Sequence, residues 1–104
     1  MSNAAFISGC AGPVLSAEEI AFFRGERPWG FILFKRNIET RAQVSDLTAS
    51  LRDAVGRPDA PVLIDQEGGR VQRMGPPVWP AYPPARVFGT LYGLDAAAGR
   101  RAAV

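Results

Sequence analysis

The residue types best suited to chemistry lie in one run, at positions 61–73. The run reads Pro-Val-Leu-Ile-Asp-Gln-Glu-Gly-Gly-Arg-Val-Gln-Arg. Its apolar part, Val62–Ile64, predicts a strand of a parallel sheet that is buried on both faces, since such strands need no alternation. Asp65 then stands at the carboxyl end of that strand, where α/β folds bind their ligands. It is a candidate ligand-binding residue, although an aspartate at this position is as often a cap for the following turn.

Two glycines and two arginines follow the carboxylate. Gly68 and Gly69 allow a sharp turn and the close approach of another group. Arg70 and Arg73 carry guanidinium forks that suit bidentate contacts with carboxylates or hydroxyl groups. A simpler interpretation is a surface turn whose arginines pair with nearby carboxylates, which contributes roughly 0–1 kcal/mol when exposed. The concentration of all these features directly after a strand favours a binding site.

The run from Asp65 to Arg73 resembles the signature of the N-terminal domain of glycoside hydrolase family 3. Within that family it is most similar to the bacterial cytoplasmic branch, the β-N-acetylhexosaminidases of peptidoglycan recycling. The resemblance continues in an apolar strand that ends in Phe-x-Arg-Asn at 34–37, and in Pro-Pro-Ala at 83–85 followed by Phe88-Gly89. In isolation, the Lys-Arg-Asn of that strand end predicts solvated loop residues.

The resemblance also implies roles for the residues of this run. By position, Asp65 and Arg73 match the family's sugar-binding aspartate and arginine. The remaining matched residues are expected to hold the loop in shape rather than to touch sugar. They are Glu67, Gly68, Gly69 and Arg70.

The activity that the resemblance implies is the removal of terminal β-linked N-acetylglucosamine from muropeptide-like sugars in the cytoplasm. It implies a retaining mechanism through a glycosyl-aspartate, without a metal or an organic cofactor. The family's nucleophile, its acid/base histidine and its Lys-His pair match no residue here. They are expected beyond Val104, so no catalytic residue is assigned and the 104-residue chain alone is expected to be inactive.

Four alternative functions can be compared with these residues. Asp65 and Glu67 could be the paired carboxylates of a glycosidase, but both lie on one short turn and cannot easily flank a sugar ring. A family 3 β-glucosidase-type activity shares this region in outline. A small non-enzymatic α/β module could bind an anion or a protein through Gly68, Gly69 and the arginines at 70 and 73. A nucleotide binder is disfavoured because no glycine-rich phosphate loop occurs.

Composition sets further bounds. The 104 residues correspond to one domain at most, and a net charge of +2 does not indicate a nucleic-acid partner. Cys10 is the only cysteine, which excludes an internal disulfide and is typical of a reducing compartment. Without a histidine in the chain, Cys10 is predicted to be a packed residue rather than a nucleophile. No segment resembles a membrane span or a signal peptide, so no membrane partner is expected.

The elements that must position these residues can be read from capping and periodicity. Strands are predicted at 5–9, 29–34 and 62–64, and helices at 16–24, 40–55 and 96–104. The first two helices begin with capping boxes at Ser16 and Thr40, Gly25 is predicted to stop the first, and Asp95 is predicted to cap the third. The second helix carries an apolar stripe that is predicted to be core: Val44, Leu47, Leu51 and Val55. The alternating order predicts an α/β fold of right-handed βαβ units. The family resemblance makes residues 1–104 a partial N-terminal catalytic domain: about three βα units of a (β/α)8 barrel, which typically needs about 250 residues. The proline-rich stretch 74–88 predicts an ordered loop over the catalytic face, with a proline-rich recognition motif as the alternative.

Overall fold

The computed structural model describes residues 2–104, which form an α/β fold of two compact units, one ending at Asp65 and one beginning at Gln66. The first unit holds a parallel sheet in the order β1-β2-β3. Its elements follow the predicted order: β1 (Ala4–Ser8), α1 (Ala17–Glu26), β2 (Pro28–Leu33), a short 3₁₀ helix (Lys35–Asn37), α2 (Arg41–Val55) and β3 (Val62–Ile64).

Both helices of this unit begin at the predicted capping boxes. The Ser16 hydroxyl accepts a hydrogen bond from the Glu19 amide, and the Glu19 carboxylate accepts one from the Ser16 amide in return. Thr40 caps α2 in the same way. The prediction that Gly25 stops α1 was wrong. A single glycine inside a helix is unfavourable by only about 1 kcal/mol, and the helix instead ends at Arg27, which adopts a left-handed φ of 51°.

The core of the first unit lies between the sheet and the two helices. Phe23 of α1 packs edge-on against Phe31 of β2, with ring centroids 5.0 Å apart. The predicted apolar stripe of α2 is confirmed as core. Its buried members are Val44, Leu47, Leu51 and Val55.

The opposite face of the sheet is more open than predicted. Leu63 is 41% exposed and Ile7 is 45% exposed, so the expectation that the third strand is buried on both faces was wrong. Ile7 lies opposite Gly30 and Leu63 lies opposite Ile32 in the parallel ladder. An apolar run specifies a strand, but burial of its second face depends on elements that pack from elsewhere.

The second unit contains two elements that the sequence did not reveal, a small antiparallel hairpin and helix α3. Its elements are β4 (Gln66–Gly68), β5 (Val71–Gln72), α3 (Ala85–Leu94) and α4 (Ala96–Ala103). Asp95 caps α4 as predicted, accepting a hydrogen bond from the Ala98 amide. Because α3 begins at Ala85, the proline-rich loop is shorter than predicted. Among residues 2–104, no helix is long and apolar enough to cross a membrane.

Candidate functional site

Asp65 directly follows β3 and is partly buried, at the edge of the sheet where the parallel strands end. Leu33 and Ile64 are the last paired residues of β2 and β3, so the chain leaves both strands at this edge. The predicted position of the carboxylate, at the carboxyl end of a parallel strand, is therefore what the structure has. This is the edge at which α/β folds present ligand-binding groups.

A buried asparagine ties two loops together at the same edge. Asn37 is fully buried, and its side-chain oxygen accepts a hydrogen bond of 2.9 Å from the Phe34 amide. Its Nδ2 group donates to the carbonyl oxygens of Cys10 (3.1 Å) and Gly12 (2.8 Å). The Arg36 Nε group also donates to the Cys10 carbonyl. The prediction of a solvated loop was thus wrong for Asn37, which fastens the loop after β1 to the loop after β2.

This network was missed because asparagine after a strand is typical of exposed turns. The only signal in the sequence is the Arg-Asn pair at 36–37, which belongs to the family resemblance. An amide that supplies both donors and an acceptor can satisfy several loop groups at once. Asn37 shows this use, since its partners belong to segments that are 25–27 residues away in sequence as well as to its own turn.

Cys10 is a buried thiol next to this network, with its Sγ atom 3.3 Å from the Asn37 Nδ2 atom. Burial raises the pKa of Cys10, the Glu19 carboxylate raises it further, and Arg36 partly offsets them. A thiol with a raised pKa remains protonated and is a poor nucleophile at neutral pH. The predicted role as a packed residue agrees with this environment.

In the second unit, Gly68 and Gly69 form the predicted sharp turn. Their φ angles are 85° and 60°, a region that side chains disfavour. A Cβ atom on Gly68 would collide with the carbonyl oxygen of Pro83, and the Gly69 amide donates to the Tyr82 carbonyl at 2.8 Å. The close approach that these glycines allow is therefore made, in this structure, by the proline-rich segment of the same unit.

Arg73 directly follows β5 and is partly buried, whereas Glu67 and Arg70 of the same hairpin are exposed. Asp65 closes the first unit and Arg73 belongs to the second. A joint contact of the two with a sugar stays a prediction. Among residues 2–104, no group of three or more histidine, cysteine, aspartate or glutamate side chains comes together as metal ligands would.

Comparisons with known proteins agree with the family resemblance. No family model matches the chain. It is 45% identical, over 87 residues, to the beta-hexosaminidase of Xylella fastidiosa strain 9a5c. It is 31% identical to NagZ of Neisseria gonorrhoeae in complex with N-trifluoroacetyl-D-glucosamine, with a TM-score of 0.88 over 99% of the chain. A glycoside hydrolase family 3 beta-N-acetylglucosaminidase from Paenibacillus sp. str. FPU-7 is also 31% identical, with a TM-score of 0.59 over 73% of the chain. The chain belongs to glycoside hydrolase family 3.

The family 3 chain described here is much shorter than these relatives. The alignment spans 84% of the chain but only 25% of the Xylella protein, and the structural match spans 30% of the NagZ chain and 15% of the Paenibacillus chain. The match to NagZ over nearly all of the chain confirms the predicted α/β arrangement as the part of the family 3 domain that begins the fold.

Proposed function

We propose that this chain supplies part of the sugar-binding site of a glycoside hydrolase that releases terminal β-linked N-acetylglucosamine. The observation that carries the proposal is the position of Asp65 at the carboxyl end of β3, in a fold that matches NagZ with a TM-score of 0.88. That NagZ structure holds N-trifluoroacetyl-D-glucosamine, a close analogue of N-acetylglucosamine. The proposal includes a muropeptide-like substrate from peptidoglycan, a retaining mechanism and a cytoplasmic location.

Asp65 and Arg73 have complementary roles in this proposal. The Asp65 carboxylate accepts hydrogen bonds from sugar hydroxyl groups, and the Arg73 guanidinium donates to ring substituents. Hydrogen bonds to charged groups contribute about 1.5–3 kcal/mol. Two such groups can select and orient a sugar, but they do not by themselves break a glycosidic bond, which takes a separate pair of groups on either side of it.

The reacting groups are expected on polypeptide other than these residues. The 104 residues contain no histidine, and the family resemblance assigns the acid/base to a histidine and the nucleophile to a later aspartate. The isolated chain should therefore not turn over an aryl β-N-acetylglucosaminide. Turnover by the pure 104-residue protein would contradict this part of the proposal.

A chimera tests whether these residues serve a sugar site. The 87 aligned residues of this chain would replace their counterparts in the Xylella beta-hexosaminidase, the relative to which they are 45% identical. We expect the folded chimera to hydrolyse an aryl β-N-acetylglucosaminide in preference to the matching glucoside. Asp65→Asn should lower kcat/KM by about 10–150-fold, the equivalent of 1.5–3 kcal/mol. If Asp65→Asn leaves the kcat/KM of a folded chimera unchanged, the proposed role of Asp65 is contradicted. If the chimera prefers the glucoside, the β-glucosidase alternative is favoured.

A further inference from the structure

We infer that Gln66 and Gln72 are positioning residues for Arg73, holding the chain on both sides of it. The inference rests on the proposed function, because it assigns the two amides to the site in which Arg73 would bind sugar. All of the contacts that carry it lie within the second unit.

The two glutamines face each other across the hairpin and meet at one peptide segment. Gln66 of β4 and Gln72 of β5 are paired residues. Both Nε2 groups donate to the Met74 carbonyl oxygen, at 2.7 Å from Gln66 and 2.8 Å from Gln72. The Met74 amide in turn donates to Gln66 Oε1 at 3.1 Å. Both backbone polar groups of Met74, the residue directly after Arg73, are therefore fixed by side chains.

Gln72, the residue directly before Arg73, is also fastened to the proline-rich segment. Its Nε2 group donates to the Pro80 carbonyl at 2.6 Å, and its Oε1 atom accepts from the Tyr82 amide at 2.9 Å. With the Met74 contact, both amide hydrogens and the amide oxygen are in use. Glutamine suits this position because it offers donors and an acceptor at the same end, which glutamate at neutral pH does not.

The proline-rich segment is itself anchored, so it can serve as a fixed point. The Gly69 amide donates to the Tyr82 carbonyl at 2.8 Å, and the Pro83 carbonyl lies against Gly68 with no room for a side chain between them. The segment is thus held at both Gly68 and Gly69 by direct backbone contact. Gln72 links this anchored segment to the strand that ends at Arg73.

A guanidinium fork binds in a fixed plane, so its value depends on where the backbone places it. Binding groups lose effectiveness when their supports allow displacements of about 1 Å. Clamping both neighbours of Arg73 restricts the Cα position from which the side chain extends. Gln66 and Gln72 therefore position Arg73 in addition to pairing β4 with β5.

The test uses the 104-residue chain, in which the rate of cleavage at the Arg73–Met74 bond reports how often the segment around Arg73 opens. Trypsin cleaves after arginine once the local segment opens. In Gln72→Met we expect cleavage at Arg73–Met74 to accelerate at least about tenfold relative to cleavage at Arg101 in the same molecule. Gln72→Glu, which lacks the amide donors, should accelerate cleavage of the same bond, and Leu94→Met, at an exposed position of α3 in the same unit, is the matched control. General destabilisation would accelerate both bonds together; an unchanged ratio of the two cleavage rates overturns the inference.

A second readout separates this inference from the proposed function. Binding of N-trifluoroacetyl-D-glucosamine is followed by ¹⁹F NMR line broadening in the wild type, Gln72→Met and Arg73→Ala. Weaker binding in both variants supports the positioning role. Weaker binding in Arg73→Ala alone overturns it while leaving the proposed function intact. If Arg73→Ala leaves the binding unchanged, the sugar-binding role of Arg73 is contradicted. The ratio of the cleavage rates at Arg73 and Arg101 then still decides whether the Gln66 and Gln72 side chains hold the segment.

Discussion

Asn37 makes the most informative prediction, because the single cysteine beside it reports on its loss. Asn37→Ala removes the donor to the Gly12 carbonyl, the acceptor of the Phe34 amide and one of two donors to the Cys10 carbonyl. Two backbone groups then lose this partner in a partly buried place, which takes the lower part of the usual range, about 1–2 kcal/mol for each group. We expect the loop after β1 to open more easily by about 2–4 kcal/mol in total.

The assay is the rate at which an aromatic disulfide reagent labels Cys10 under native conditions. A buried thiol reacts only through local opening, so the labelling rate follows the opening equilibrium. A change of 2–4 kcal/mol then corresponds to about 30–700-fold faster labelling, at 1.4 kcal/mol per factor of ten. Asn3→Ala is the matched control, since Asn3 is the other asparagine of the chain and is exposed.

The reasoning would be refuted by a particular result. Suppose that Asn37→Ala keeps the wild-type circular dichroism spectrum and that its Cys10 labelling rate is within about threefold of the wild-type rate. The hydrogen bonds of Asn37 then do not hold the loop closed. Equal acceleration in Asn3→Ala would show instead that any change of this type loosens the unit. Labelling should be compared at one fixed pH, because the thiol that becomes exposed on opening reacts as its thiolate, and the thiolate fraction depends on pH.

Three further predictions concern stability. Burial raises the pKa of Glu19, but hydrogen bonds from Ser16 and Ala11 outweigh it and the pKa is lowered from 4.5. The stabilisation is therefore present above pH 4.5 and is lost as the pH falls through the lower folded value, so Glu19→Gln should lower the melting temperature at pH 7 and much less in strong acid. Gly68→Ala should destabilise the second unit by at least about 1–2 kcal/mol, because of its positive φ and the Pro83 carbonyl. The Arg27→Gly variant should be more stable than the Arg27→Ala variant, with a free energy of unfolding about 1 kcal/mol higher, since only glycine adopts a left-handed φ without strain.

Each of these has a control and a contrary outcome. Glu18→Gln, on the exposed side of the same helix turn, should leave the melting curve unchanged at both pH values. Gly89→Ala, in an open helical position, should stabilise by about 0.5–1 kcal/mol, in contrast to Gly68→Ala. Equal urea midpoints for Gly68→Ala and Gly89→Ala would argue against the close packing of Gly68 on the Pro83 carbonyl. A more stable Arg27→Ala than Arg27→Gly would argue against strain at that position.

Capping and periodicity were sufficient for most of the first unit. Ser16 and Thr40 mark helix starts because their partners three residues later satisfy free amide groups, which is a purely local requirement. Val62–Ile64 was placed correctly because a short apolar run between turn residues has few other uses. The end of α1 was misplaced because Gly25 can be tolerated within a helix, and only the structure shows that Arg27 ends it.

The second unit was harder because its order depends on contacts between segments. Helix α3 begins directly after Pro84, and its two glycines, Gly89 and Gly93, weaken any helical pattern in the sequence. The hairpin at 66–72 is held by two glutamine side chains that bind backbone groups up to ten residues away. Side chains that bind distant backbone groups leave no periodic trace, so neither Gln72 nor Asn37 could be identified as an organising residue in advance.

The open face of the parallel sheet has a practical consequence. Ile7 of β1 and Leu63 of β3 present apolar side chains to water, and these two strands are the edges of the three-stranded sheet. Unpaired edges next to apolar surface are the usual starting point for association between copies of a chain. Solution measurements on this polypeptide are therefore best made across a dilution series, so that self-association is distinguished from the properties of the monomer.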